Sequence, residues 1–176
     1  AEDIQVVRRR VLEEDWRVAS EPGKVDRVDV VEHYMAKALD GLKIERRLKV
    51  VADAGNGIAG PVMMRLLGQL DVEAVGLYCE PDGHFPNHHP DPSKPANLSD
   101  LIAEVKRTGA DYGFALDGDG DRLGVVTKTG EIIFPDRLMM LFAADILEKH
   151  PGERIVYDVK CSRKLVDWIA EHGGVP

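Results

Sequence analysis

The chain has 176 residues, enough for one domain with a full core or for one domain and part of a second. Hydrophobic residues make up 44% of it and charged residues 31%, the balance of an ordinary soluble globular protein. A net charge of −8 argues against nucleic acid or an anionic membrane as partner, since phosphate backbones are met by an excess of Lys and Arg. It does not exclude a small phosphorylated ligand, for which a few local cations and a metal suffice. No apolar run approaches the ~20 residues of a membrane span. Cys79 and Cys161 stand far apart and in no CxxC pattern, so no disulfide framework or thiolate zinc site is implied, and a reducing cytoplasm is the expected compartment. AEDIQVVRRR lacks a leading Met and a signal h-region, and GGVP closes the chain where a turn should lead to another strand. Both ends therefore read as cuts, and a fragment of a longer protein is expected.

In chain order, residues 1–18 suit a short helix that needs a partner surface, with apolar positions at Ile4, Val7, Val11, Leu12 and Trp16, and SEPGKVD (20–26) is a linker. From Val30 the apolar residues recur at helical spacing through Leu42, with Asp29 placed as the cap. LKVVAD (48–53) reads as a buried strand, GNG as a turn, and 59–69 as a helix whose early Pro61 is tolerated. EAVGLYCE (73–80) is a second strand, followed by the loop PDGHFPNHHPDPSKP. A helix over 98–107 leads to a third strand, DYGFAL (111–116). LGVVT, KTGE and IIF form a hairpin, a helix follows from Pro135, RIVYDVK (154–160) is a further strand and SRKLVDWIAEH a further helix. The alternation predicts an α/β fold, a mixed and mainly parallel sheet with helices on both faces, plus an incomplete second α/β domain. The expected division is an N-terminal helix and linker over 1–28, a metal-binding domain over 29–131, and the truncated start of a similar domain over 132–176.

The third strand ends in FALDGDGDRLGVV (114–126), where three aspartates are spaced by single glycines. Two unit charges ~4 Å apart repel by about 1 kcal/mol in water and about 4 kcal/mol at the effective dielectric near a protein surface. Asp117, Asp119 and Asp121 make three such pairs, and a bound cation removes the penalty. Gly118 and Gly120 free the backbone to take positive φ and converge alternate side chains. Hard oxygen ligands of this kind suit Mg²⁺, which commonly keeps coordination positions open for a substrate phosphate. A strand's carboxyl end is also where open α/β sheets bind ligands. The plainer reading is a solvated acidic turn, which the apolar flanks disfavour.

Other readings of the motifs compete. An EF-hand loop counted from Asp117 needs Gly at position 6 and Glu at position 12, and finds Arg122 and Lys128. Phosphatases of the haloacid-dehalogenase type place DxDG after an apolar strand, which Asp117 and Asp119 match, but Asp121 follows where Thr or Val is usual. GNGIAG (55–60) satisfies GxGxxG, with Glu80 at the end of the next strand, as in a dinucleotide fingerprint. Asp53 just before that turn would face a pyrophosphate, and a glycine turn for tight packing explains the same residues. Cys79, Asp82, His84, His88, His89 and Asp91 invite a zinc site. Adjacent histidines seldom share an ion, and a proline-stiffened loop framing an active site accounts for the segment better.

Taken together, FALDGDGDRLGVV, the upstream VVADAGNGIAG and the intervening FPNHHPDP resemble the α-D-phosphohexomutases, in particular the bacterial phosphomannomutase/phosphoglucomutase branch. The resemblance covers nearly the whole chain. It implies the second domain and the opening of the third domain of a four-domain enzyme. It also implies that Asp117, Asp119 and Asp121 bind Mg²⁺ opposite a phosphoserine that lies outside this chain, that Arg122 contacts substrate, and that Lys160 in DVKCSRKL helps to position the sugar phosphate. The implied reaction interconverts hexose 1-phosphate and 6-phosphate, of mannose or glucose, through glucose 1,6-bisphosphate or its mannose counterpart. Further expectations are a monomeric full-length protein, missing domains of the same polypeptide as the chain's partners, and no turnover by the chain alone. A non-catalytic, metal-stabilised binding module is the non-enzymatic alternative.

Overall fold

The computed structural model describes residues 2–176, which divide into two units, one reaching to His33 and the other running from Tyr34 to Pro176. In the first, α1 (Glu2–Leu12) carries Glu2 and Asp3 in its first turn and Arg9 and Arg10 in its last, the polarity that its dipole favours. None of its residues is buried. Ala1, where the expected helix starts, lies outside the described residues. SEPGKVD forms neither helix nor strand. The Asp29 carboxylate accepts a hydrogen bond from the Val31 amide at 2.9 Å, the expected capping role, where α2 (Val31–Leu39) begins.

The second unit is built on a sheet of β1 (Leu48–Asp53), β2 (Val72–Leu77), β3 (Tyr112–Leu116), β4 (Leu123–Thr127) and β5 (Ile132–Ile133), in the order β2-β1-β3-β4-β5. β1 pairs in parallel with both β2 and β3, while β4 and β5 are antiparallel additions on the far side. The sheet is thus mixed, with its parallel part where the βα alternation placed it. Ile132 and Ile133 belong to this sheet and lie just past the boundary expected at residue 131.

Two glycines locate the helices that cover it. A Cβ on Gly113 of β3 would come within 2.8 Å of Leu101 and Val105 of α4 (Ser99–Thr108), and one on Gly76 of β2 would meet Met64 of α3 (Gly60–Gln69). Gly113 pairs with Val51 and Gly76 with Ala52, and consecutive positions of β1 point to opposite faces. Hence α3 and α4 lie on opposite faces of the sheet, as expected. On the α4 face, Val51, Leu98, Leu101, Val105, Ala110, Ala115 and Val126 form the core. Burying each of the Leu and Val side chains contributes about 1.5–3 kcal/mol. β1 is covered on both sides, which explains its consecutive buried apolar residues Val50, Val51 and Ala52. α4 stops at Gly109, whose φ of +68° suits a residue without Cβ, and the chain turns back into β3.

A separate cluster joins α5 (Pro135–Lys149) to α6 (Lys164–Glu171) through Ala143, Leu147, Leu165 and Ile169, with Ile155 alongside. Trp168 Nε1 donates to the Met140 carbonyl at 2.9 Å and ties the two helices together. The strand expected over RIVYDVK does not form: Arg154 makes a single parallel bridge to Val175, and Val156 and Val159 are exposed. No helix among the described residues is long and apolar enough to cross a membrane.

Candidate metal centre

The parallel strands β1, β2 and β3 deliver their carboxyl ends to one edge of the sheet, and the loops that leave them pack on each other. β3 hands over to Asp117, which is 2% exposed, whereas Asp119 and Asp121 reach into solvent. One carboxylate oxygen from each of the three lies within 4.8 Å of the others. Of the two glycines, Gly120 takes positive φ, +80°, and Gly118 does not. A single left-handed residue is therefore enough to turn the loop. The cluster is made of hard oxygen donors from a short loop, two of them exposed, which fits Mg²⁺ with its ligands at about 2.1 Å.

The charge in this loop is unequally distributed. Burial would raise the carboxyl of Asp117, but hydrogen bonds from the Arg122 amide to Oδ1 (3.0 Å) and from Arg122 Nε to Oδ2 (2.7 Å), with the guanidinium charge, hold it at about 2. Asp121 moves the other way, raised above the ordinary carboxyl value by the charges of Asp119 and then of Asp117. Arg122 Nε lies 3.9 Å from Asp121, too far to cancel that repulsion. The loop is thus an acidic cluster one cation short of balance.

GNGIAG serves close packing. A Cβ on Gly57 would sit 2.9 Å from the carbonyl oxygens of Asp117 and Gly118, and the Ile58 amide donates to the Gly118 carbonyl at 3.0 Å. Gly60 packs directly on the backbone of Cys79. The turn is therefore a bracket against which the acidic loop rests, and its glycines are accounted for without a nucleotide.

The histidine-rich loop does not gather into a metal site. His84 pairs with Asp82 on the surface, while His88 Nε2 reaches the buried Asp53 carboxylate at 3.0 and 3.2 Å. Cys79 turns its thiol to the carbonyls of Leu77 and Ala52, and burial raises its pKa. Asn56 donates to the Glu80 carbonyl and accepts from Asn87, which stitches this loop to the glycine turn. Asp91 then reaches Arg122, its Oδ1 accepting from Nη1 at 2.9 Å. The loop does frame the acidic turn. The pairings of Asp53 with His88 and of Asp91 with Arg122 join residues more than thirty positions apart and do not follow from the sequence pattern.

Lys160 stands apart from this group. Its Nζ pairs with Asp158 at 3.2 Å, and it makes no hydrogen bond or ion pair with the acidic turn. Because RIVYDVK is not a strand, Lys160 sits in an exposed loop and not at a strand's carboxyl end.

Fold and site together define an α/β protein with a metal-competent carboxylate cluster at the carboxyl edge of its sheet. Residues 31–130 match the family described as phosphoglucomutase/phosphomannomutase, alpha/beta/alpha domain II. The chain is 52% identical over 173 residues to a phosphomannomutase/phosphoglucomutase of Pseudomonas putida, covering 98% of this chain and 37% of that protein. It is 47% identical to a phosphoglucomutase of Neisseria meningitidis, with 98% and 38% covered. A crystal structure of a phosphoglucomutase/phosphomannomutase family protein from Burkholderia thailandensis superposes with a TM-score of 0.92 at 49% identity, over all of this chain and 38% of that one. The chain belongs to the phosphoglucomutase/phosphomannomutase family, within the α-D-phosphohexomutases, and spans somewhat over a third of the length of these relatives.

Proposed function

We propose that this chain is the metal-binding part of a phosphohexomutase that interconverts hexose 1-phosphate and 6-phosphate, with mannose and glucose as the sugars. The observation that carries the reading is Asp117, buried at the end of β3 yet held ionised by Arg122, at the head of a carboxylate cluster whose repulsion calls for a cation. Residues 29–131 are then the second domain of a four-domain polypeptide and 132–176 the start of its third. The catalytic phosphoserine and the sugar-selecting loop belong to parts outside this chain, which by itself turns over no substrate.

Asp117, Asp119 and Asp121 are the residues that would hold Mg²⁺, which when bound neutralises charge on the phosphoryl group in transfer. Asp117 keeps its carboxylate ionised and oriented through its two bonds to Arg122. Arg122, half exposed at the rim, offers its guanidinium to the substrate, and Lys160 offers an ammonium to the sugar phosphate from its exposed loop. Such a site acts by positioning and by preorganised charge. Glucose 1,6-bisphosphate is the expected activator, the cytoplasm the expected compartment and a monomer the expected full-length form.

The test is phosphorus-31 NMR of glucose 1-phosphate and mannose 1-phosphate incubated with the full-length polypeptide, Mg²⁺ and a trace of glucose 1,6-bisphosphate. Appearance of the 6-phosphates supports the reading and ranks the sugars. Release of inorganic phosphate without isomerisation contradicts it and favours a phosphatase.

A further inference from the structure

Arg122 is held by carboxylates from two different loops. Nε donates to Asp117 at 2.7 Å, and Nη1 donates to Asp91 at 2.9 Å, so the plane of the guanidinium is fixed although the side chain is 55% exposed. A single carboxylate would leave a long, exposed arginine free to sample rotamers. With these two bonds made, Nη2 has no hydrogen-bond partner among the described residues, and its two N–H groups, with the second N–H of Nη1, are the donors left for an anionic oxygen.

The placing of Asp91 is itself built. Asp91 lies between two prolines, and each packs on a glycine at the edge of the site. Pro90 is buried against Gly55, where a Cβ would come within 3.0 Å of it, and lies 3.5 Å from the position of a Cβ on Gly118 in the acidic turn. Pro92 meets Gly124 at the start of β4 in the same way, at 2.8 Å. Immediately before them, His88 is fastened to Asp53, which is fully buried and also accepts from the Gly55 amide at 2.8 Å. Asp91 Oδ1 further accepts from the amide and hydroxyl of Ser93, at 3.1 and 2.7 Å, which sets its rotamer. Loop, proline wedges and buried pair all converge on one carboxylate at one arginine.

We propose that Asp91 is a positioning residue, which aims the Arg122 guanidinium at the hexose phosphate, and that the His88–Asp53 contact is the pin that keeps Asp91 in place. The inference rests on the reading of Arg122 as a substrate contact. It adds a carboxylate that touches neither metal nor substrate and acts through Arg122 alone.

The test is steady-state conversion of hexose 1-phosphate by the full-length polypeptide carrying Arg122→Ala, Asp91→Ala, Asp91→Asn or the double change Asp91→Ala/Arg122→Ala. Loss of a hydrogen bond to a charged group corresponds to about a tenfold rise in KM, expected for both alanine variants. The Mg²⁺ concentration for half-maximal rate should stay close to wild type in Asp91→Ala. Asp91→Asn, which keeps the bonds to Ser93, should fall between wild type and Asp91→Ala. Because Asp91 acts through Arg122, the double variant should be no worse than Arg122→Ala alone. His88→Gln should raise KM in the same direction. If Asp91→Ala does not fold, Asp91→Asn decides, a wild-type KM there contradicting the proposal. Additive losses would overturn it, as would a wild-type KM in Asp91→Ala beside a raised KM in Arg122→Ala; in both cases the function proposed for Arg122 survives. A wild-type KM in Arg122→Ala would overturn both.

Discussion

Asp117 and Arg122 are bonded twice, the arginine amide to Oδ1 at 3.0 Å and Nε to Oδ2 at 2.7 Å, across a loop that brings positions 117 and 122 face to face. That pairing lets a buried carboxylate stay charged before any cation arrives. The carboxyl stands at about 2, below the ordinary value of 3.8, so its contribution to stability is complete above pH ~4 and is lost as the pH falls through about 2. With Arg122 half in solvent, that contribution is about 1–2 kcal/mol. In the presence of a chelator, Arg122→Ala should therefore melt below wild type at pH 6, and the gap should close at pH 2. A gap independent of pH would mean that the arginine stabilises by packing instead.

Asp121 should behave oppositely. Its carboxyl is raised by Asp119 and Asp117, so in the metal-free protein its ionisation is unfavourable once the pH rises through that raised value. Asp121→Asn should accordingly raise the melting temperature of the metal-free protein at pH 7 while weakening Mg²⁺ binding. The two effects have opposite signs, and calorimetry with and without Mg²⁺ reads both. A lower melting temperature in both states would point to a structural hydrogen bond in place of repulsion.

The His88–Asp53 pair carries a separate stability cost. Asp53 is fully buried, and burial raises its carboxyl despite the Gly55 amide and His88. Losing a hydrogen bond to a charged group typically costs about 1.5–3 kcal/mol, so about that loss is expected for His88→Ala at pH 7. Without His88 the buried carboxylate is easier to accommodate protonated, and the loss should shrink as the pH falls toward 4. Denaturant unfolding across that range measures it. A deficit that grows on acidification would contradict the assignment.

Gly57→Ala tests the bracket beneath the acidic turn. Its Cβ would lie 2.9 Å from two carbonyl oxygens of that turn, and backbone atoms yield less readily than a side chain. The Asp117–Gly118 segment must shift, and Mg²⁺ affinity should drop without any ligand having been changed. Unchanged affinity in a folded variant would show that the turn is compliant.

β1 and the run into Asp117 were legible because an apolar stretch covered on both faces and closed by glycines or charges leaves little freedom in its limits; LKVVAD forms the strand at the expected residues. RIVYDVK is also rich in strand-forming residues, yet a strand exists only where a neighbour pairs with it, and Val175 supplies one bridge. The acidic cluster was legible because Asp117, Asp119 and Asp121 are local in sequence. The contacts of Asp53 with His88 and of Asp91 with Arg122 were not, because each joins residues more than thirty positions apart through a loop whose path depends on proline–glycine packing. Asp53 stood out only as a charge beside the glycine turn, and His88 and Asp91 only among the candidates of a disfavoured zinc site, so neither pairing followed from the sequence.

The most direct test of the acidic turn as the metal centre of a phosphohexomutase is the Mg²⁺ dependence of 1-phosphate to 6-phosphate conversion, compared between the full-length wild-type polypeptide and Asp119→Asn. Asp119 is exposed and does not pack in the core, so the variant should fold with a near-wild-type melting temperature in chelator. Wild type should show saturable activation by Mg²⁺, and Asp119→Asn should lose most turnover and require far more Mg²⁺ for what remains. A folded Asp119→Asn protein with wild-type turnover and an unchanged Mg²⁺ requirement would place the metal elsewhere.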